Sequence, residues 1–126
     1  MNIPTILLID DSALNRKLIE TVLKPQGYRV VIAEDGQAGV AAALREKPDL
    51  ILMDVMMPVM NGYDATRRIK DRRETAHIPV VALTASALPQ ERNQAMEAGC
   101  DGYISKPIDT RAFPGQVRQF LSRTDE

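Results

Sequence analysis

The sequence has no tryptophan, one cysteine and one histidine among 126 residues. A single thiol, Cys100, excludes an internal disulfide and suits a reducing compartment. Without clustered histidines or cysteines there is no ligand pattern for zinc. Long apolar runs are missing as well: nothing approaches the roughly 18 consecutive apolar residues of a membrane span. The start, Met1-Asn2-Ile3-Pro4-Thr5, lacks the basic stretch and small-residue cleavage site of a signal peptide, so a cytoplasmic protein with no membrane contact is expected. A formal net charge of −1 leaves no basic field to draw the chain directly to nucleic acid. Repeats, low-complexity tracts and linkers are absent too. The length fits one domain over 1–126 with no further domain, and Met1 and the short tail favour a free-standing protein over a fragment of a larger one.

What remains is an ordinary globular composition, 44% apolar and 26% charged, sufficient to bury a core. Thr5 to Ile9, Arg29 to Ala33, Leu50 to Asp54, Pro79 to Leu83 and Gly102 to Ser105 read as short strands. Helical segments lie between them. Ser12 offers an N-cap to a helix carrying Leu14, Leu18, Ile19, Val22 and Leu23, which ends at Pro25-Gln26-Gly27. Asp35-Gly36 turns the chain into an alanine-rich helix that stops near Lys47-Pro48, its small residues leaving the buried face ambiguous. Asn61-Gly62 precedes a helix running to about Arg73. Pro89 and Gly99 bracket another. Asp109 could cap the last, whose apolar face is Phe113, Val117, Phe120 and Leu121, with Pro114-Gly115 distorting or delaying its first turn. Five strands alternating with five helices predict an α/β fold, a doubly wound parallel sheet of (βα)₅ flavodoxin-like topology.

In the strand order 2-1-3-4-5, the carboxyl ends of strands one and three meet at the topological switch point. That places Asp10, Asp11 and Asp54 together, with Thr84 ending strand four and Lys106 following strand five. Each residue alone reads as a cap or a solvated loop charge; the joint placement is harder to assign to chance. Three close carboxylates repel one another, and a divalent cation removes that cost. Oxygen-only ligands favour a hard ion, Mg²⁺ before Zn²⁺. Lys106 supplies a point charge for a phosphoryl oxygen and Thr84 a hydroxyl donor, the equipment for moving a phosphoryl group onto a carboxylate.

These residues, with Pro107, resemble in order and spacing the receiver domains of two-component response regulators across essentially the whole chain. The likeness is to single-domain receivers of the CheY and DivK kind, and the stretches His77 to Ala85 and Gly99 to Pro107 look nearest to DivK-like and hybrid-kinase receivers. The resemblance implies that Asp54 is the phosphoacceptor, taking its phosphoryl group from the phosphohistidine of a sensor histidine kinase or His phosphotransfer protein. It implies Mg²⁺ held by Asp11 directly, Asp10 mainly through water, Asp54 and the Met56 backbone carbonyl. Lys106 would bridge to the carboxylate and then the phosphate, Thr84 would move to the phosphoryl group, and Tyr103 would swing inward, with Ala85 and a cis Lys106-Pro107 bond supporting the site. A downstream effector would read the face formed by helix four, strand five and helix five, while the first turn of helix one, around Asn15 and Leu18, and the loop after Lys106 would dock the donor. Met56 and Ser86, two residues after Asp54 and Thr84, hold positions that tune phosphate lifetime in this family. A thioether at Met56 orients an attacking water poorly, so a fairly stable aspartyl phosphate is expected.

Other functions fit less well. A Mg²⁺-dependent phosphohydrolase with an aspartate nucleophile usually carries a second acid where Met56 stands, and a cap for which this chain is too short. A flavodoxin-like nucleotide-binding module needs a phosphate loop after strand one, where Asp10-Asp11 repels phosphate unless metal intervenes. His77 reads as a loop residue rather than a phosphocarrier, and Cys100 as a small packing residue. Arg67, Arg68, Lys70, Arg72 and Arg73 read as a solvated helix face, with no interleaved aromatics to stack on nucleic acid. Met53, Met56, Met57 and Met60 are expected to pack around the site loop.

Overall fold

Successive side chains of a strand point to opposite faces of its sheet, so a strand that is apolar at every position must be covered on both sides. In the computed structural model, which describes residues 3–57, 59–85 and 88–122, the chain meets that demand. Strands β1 (Thr5–Ile9), β2 (Arg29–Ala33), β3 (Leu50–Asp54), β4 (Val80–Thr84) and β5 (Gly102–Ser105) form one parallel sheet in the order β2-β1-β3-β4-β5. The helices are α1 (Ala13–Leu23), α2 (Gly36–Glu46), α3 (Gly62–Lys70), α4 (Pro89–Ala98) and α5 (Phe113–Ser122).

Each face of the sheet has its own core. Leu7, Ile9, Ile51, Met53, Val80 and Ala82 pack with Ala42 and Ala43 of α2, Ala65 and Ile69 of α3 and Ala95 of α4. The alternate residues Ile6, Leu8, Leu50, Leu52, Val81 and Leu83 pack with Ile19 and Leu23 of α1 and Phe113, Val117 and Leu121 of α5. The predicted cap of α1 forms, Ser12 Oγ accepting the Asn15 N–H at 3.3 Å, and Asp35, read from sequence only as a turn residue, caps α2 by accepting the Ala38 N–H on Oδ1 at 2.7 Å. Gly99 ends α4 at φ 105°, a left-handed conformation that glycine adopts without steric cost. The buried face of α2, ambiguous from its small residues, comprises Gly36, Gly39, Ala42 and Ala43. A Cβ at Gly39 would run into the Ile9 side chain, so the missing side chain lets α2 sit close on β1.

Five expectations need correction. Leu14 and Leu18 do not join the core: they are 79% and 36% exposed, while Ile19 and Leu23 are fully buried. One residue along a helix is a turn of about 100°, and only the stripe through Ile19 and Leu23 faces the sheet. Helix α3 stops at Lys70 rather than near Arg73. Its end is diverted by Thr75 Oγ1, which donates to the Ile69 carbonyl at 2.6 Å, and Lys70 is no solvated charge. Lys70 Nζ donates to the carbonyls of Ala76 and Ile78 and to Asp101 Oδ2 at 3.2, 2.6 and 2.9 Å, tying the loop before β4 to the start of β5. Asp109 caps a turn rather than the helix itself, accepting the Arg111 and Ala112 N–H groups; the late start expected of α5 is found, at Phe113 with Pro114 in its first turn. The Met56 side chain is 72% exposed, whereas Met53 and Met57 are buried.

Candidate active site

Asp10 follows β1 and continues its pairing with β2, its N–H donating to the Ala33 carbonyl at 3.1 Å. Its side chain is completely buried. Oδ1 accepts the Ser12 N–H at 2.8 Å, and Arg16 Nη1 donates to the Asp10 carbonyl at 2.9 Å, fixing the loop from both sides. Oδ2 is buried with no hydrogen-bond partner among the described residues. Burial pushes the Asp10 carboxyl up from 3.8 to about 6; the Ser12 N–H opposes this and the Asp54 charge reinforces it.

Asp54 closes β3 and is 2% exposed. Its Oδ1 accepts the Met56 backbone N–H at 3.1 Å and lies 3.0 Å from Lys106 Nζ. Oxygen atoms of Asp10, Asp11 and Asp54 lie within 4.8 Å of one another, with Asp11 the exposed member. The group fits a hard divalent cation on the chemistry of its donors, all carboxylate oxygens, and on Asp10 Oδ2, a buried acceptor that receives no hydrogen bond among the described residues.

The helix after this strand is brought unusually close. A Cβ on Gly62 would strike the Asp54 carbonyl oxygen and lie 2.7 Å from Val55 Cα. Asn61 Oδ1 accepts the Asp64 N–H at 3.0 Å and starts α3 against the acidic loop. Sequence reading treated Asn61-Gly62 as a helix start alone; a glycine eight residues after a strand-end aspartate gave no sign of backbone-on-backbone packing.

Thr84 and Tyr103 are both engaged by α4. In-strand parity puts Asp54 on the face of Leu50 and Leu52, and Thr84 on the opposite face with Val80 and Ala82. Tyr103 packs against that second face. Thr84 is buried, and its hydroxyl donates to Glu91 Oε2 on α4 at 3.3 Å. The Arg92 guanidinium stands 4.9 Å from the Tyr103 ring centroid. Neither Glu91 nor Arg92 carried a sequence signal, since an acid and a base on a polar helix read as solvated charge.

Ala85 is exposed at the bend after β4, the Lys106-Pro107 bond is cis, and Ser86 lies outside the described residues. His77 is an exposed loop residue. Cys100 is buried, its Sγ 3.8 Å from Thr66 Oγ1, and burial pushes its thiol up, away from the reactive thiolate.

The chain belongs to the response regulator receiver domain family, whose model matches residues 6–118. It is the receiver domain of a two-component response regulator. Among its relatives is the polar-differentiation response regulator DivK of Brucella anthropi, 34% identical over 117 residues, covering 93% of this chain and 95% of that protein. The chemotaxis protein CheY4 of Vibrio cholerae superposes with a TM-score of 0.90 at 26% identity, over 94% of this chain and 99% of that one. The receiver domain of a sensor histidine kinase from Pseudomonas aeruginosa, 36% identical, superposes with a TM-score of 0.88 over 96% of this chain and 99% of that one; its crystal structure has a magnesium ion coordinated in the active site cleft.

Proposed function

We propose that Asp54 is the residue this receiver phosphorylates, and that Asp10, Asp11, Asp54 and the Met56 carbonyl hold the Mg²⁺ required. The observation that carries the reading is the convergence of three carboxylates at the β1–β3 switch point with Lys106 Nζ 3.0 Å from Asp54 Oδ1. Mg²⁺, when bound, neutralises the carboxylate cluster and the oxygens of the incoming phosphoryl group. The remaining work falls to the protein. An Asp54 oxygen attacks the phosphorus of a phosphohistidine, the P–N bond breaks, and the donor imidazole leaves with the bonding pair and takes a proton from solvent. Lys106 already holds the acceptor carboxylate in place and can follow the charge onto the phosphoryl oxygens. In this sense the domain promotes its own phosphorylation, without turnover of a separate substrate.

The donor is a sensor histidine kinase or His phosphotransfer protein in the cytoplasm, and the output passes to an effector protein through the α4–β5–α5 face. The exposed Leu14 and Leu18 on α1 suit a docking helix from the donor, and Leu88 and Met96 on α4 are exposed on the output side. The exposed thioether of Met56, unable to orient an attacking water well, favours a long-lived phosphate; Met56→Asn should shorten that lifetime. Mass spectrometry after incubation with Mg²⁺ and acetyl phosphate tests the whole reading. One added phosphoryl group that requires both Mg²⁺ and Asp54, and is lost in Asp54→Asn, supports it. Rapid donor turnover without an adduct would instead favour a hydrolase.

A further inference from the structure

A hydroxyl has one proton and can donate it to one acceptor at a time. Thr84 gives that proton to Glu91 Oε2, 3.3 Å away on the first turn of α4. The phosphoryl reading above asks the same hydroxyl to donate to a phosphoryl oxygen on Asp54. The two bonds are mutually exclusive. The next residue of α4, Arg92, covers the ring of Tyr103 at 4.9 Å, so one helical turn grips both side chains whose movement would report phosphorylation.

We propose that the first turn of α4 is a latch, with Glu91 competing for the Thr84 hydroxyl and Arg92 retaining Tyr103, and that it sets how readily the domain adopts its phosphorylated conformation. This inference rests on Asp54 being the phosphoacceptor. The helix is built to let go. Its N-cap is Leu88, which has no side-chain acceptor for the helix N–H groups. It buries only Ala95 and Ala98 and exposes Met96, so little apolar contact opposes a shift of its first turn. A phosphoryl dianion both attracts the Thr84 proton and repels the Glu91 carboxylate, so the charge that forms one bond releases the other. Glu91 and Arg92 are positioning residues in this scheme, acting through Thr84 and Tyr103 and touching no reacting atom.

The test uses beryllofluoride, a phosphoryl mimic, titrated with excess Mg²⁺ into the full chain and followed by ¹H–¹⁵N NMR. Glu91→Ala should tighten beryllofluoride binding by about three- to tenfold, the scale of one lost competing hydrogen bond, and leave Mg²⁺ affinity unchanged. Glu91→Gln keeps an acceptor oxygen and should shift affinity less, and Arg92→Ala should free the Tyr103 ring resonances with a smaller gain. The decisive arm repeats Glu91→Ala in a Thr84→Val background, where the gain should vanish. A gain that persists there would assign the effect to charge repulsion alone and overturn the latch, as would an unchanged affinity in Glu91→Ala when the native chain binds normally. Failure of the native chain itself to take up beryllofluoride would overturn the phosphoacceptor reading, and the latch with it.

Discussion

At the β1–β3 switch point the frame is closely held and only Asp11 of the three acids is exposed: Asp10 and Asp54 are buried, Gly62 presses α3 against the Asp54 backbone, and Arg16 and Ser12 hold the Asp10 loop. At the β4–β5 end of the same sheet edge, α4 covers the strands with two alanines and leaves Leu88 and Met96 in solvent. The contrast separates two tasks. Gathering like charges demands a rigid frame, because the carboxylates leave one another as soon as the backbone allows. Reporting a change of charge demands an element held by a few polar contacts, which a phosphoryl group can outcompete.

The contrast can be broken most sharply at Asp10. Its carboxyl sits at about 6 in the folded metal-free protein against an ordinary 3.8, a difference equivalent to about 3 kcal/mol. Below pH 4 the group is protonated whether folded or unfolded and costs nothing. Above pH 6 it is ionised in both and the whole cost is present, so this group lowers the stability of the metal-free protein as pH rises from about 4 to 6. Asp10→Asn should therefore raise metal-free stability at pH 7 by up to about 3 kcal/mol, flatten that pH dependence, and abolish stabilisation by Mg²⁺. Urea titrations with and without the ion read all three. Next in size, Gly62→Ala should cost about 2 kcal/mol by forcing α3 away from Val55 and Asp54, and should slow phosphorylation by acetyl phosphate as the acceptor is displaced. In the loose half the same chemistry runs in reverse: Ala98→Gly should lower stability by about 1 kcal/mol through helix propensity and leave Mg²⁺ affinity intact. Smallest of all, Leu14→Ser and Met96→Gln should stay within about 0.5 kcal/mol of the native chain in the same titrations, because neither side chain is covered.

Much of the frame could be read from the chain. Runs such as Leu50 to Met53, apolar at every position, require cover on two faces, and alternation with helical segments leaves the parallel doubly wound sheet as the economical solution. The site carboxylates were legible for the same reason: a residue that ends a parallel strand lies on the edge shared by all the strand ends, so sequence position becomes spatial position. Which stripe of α1 is covered could not be read, since Leu14 and Leu18 are as apolar as Ile19 and Leu23 and only the sheet chooses between them. Nor could the burial of Lys70 among the Ala76 and Ile78 carbonyls and Asp101, which depends on a loop folding back on its own helix end.

By itself, then, the sequence determined a parallel sheet covered on both faces, with the acids and lysine at one edge, because strand periodicity and strand ends translate directly into geometry. Tertiary structure alone decided that Gly62 abuts the Asp54 backbone and that Glu91 and Arg92 reach Thr84 and Tyr103. Those contacts depend on how helices lie against the sheet, to within an ångström or so, and no local pattern of residues encodes that placement.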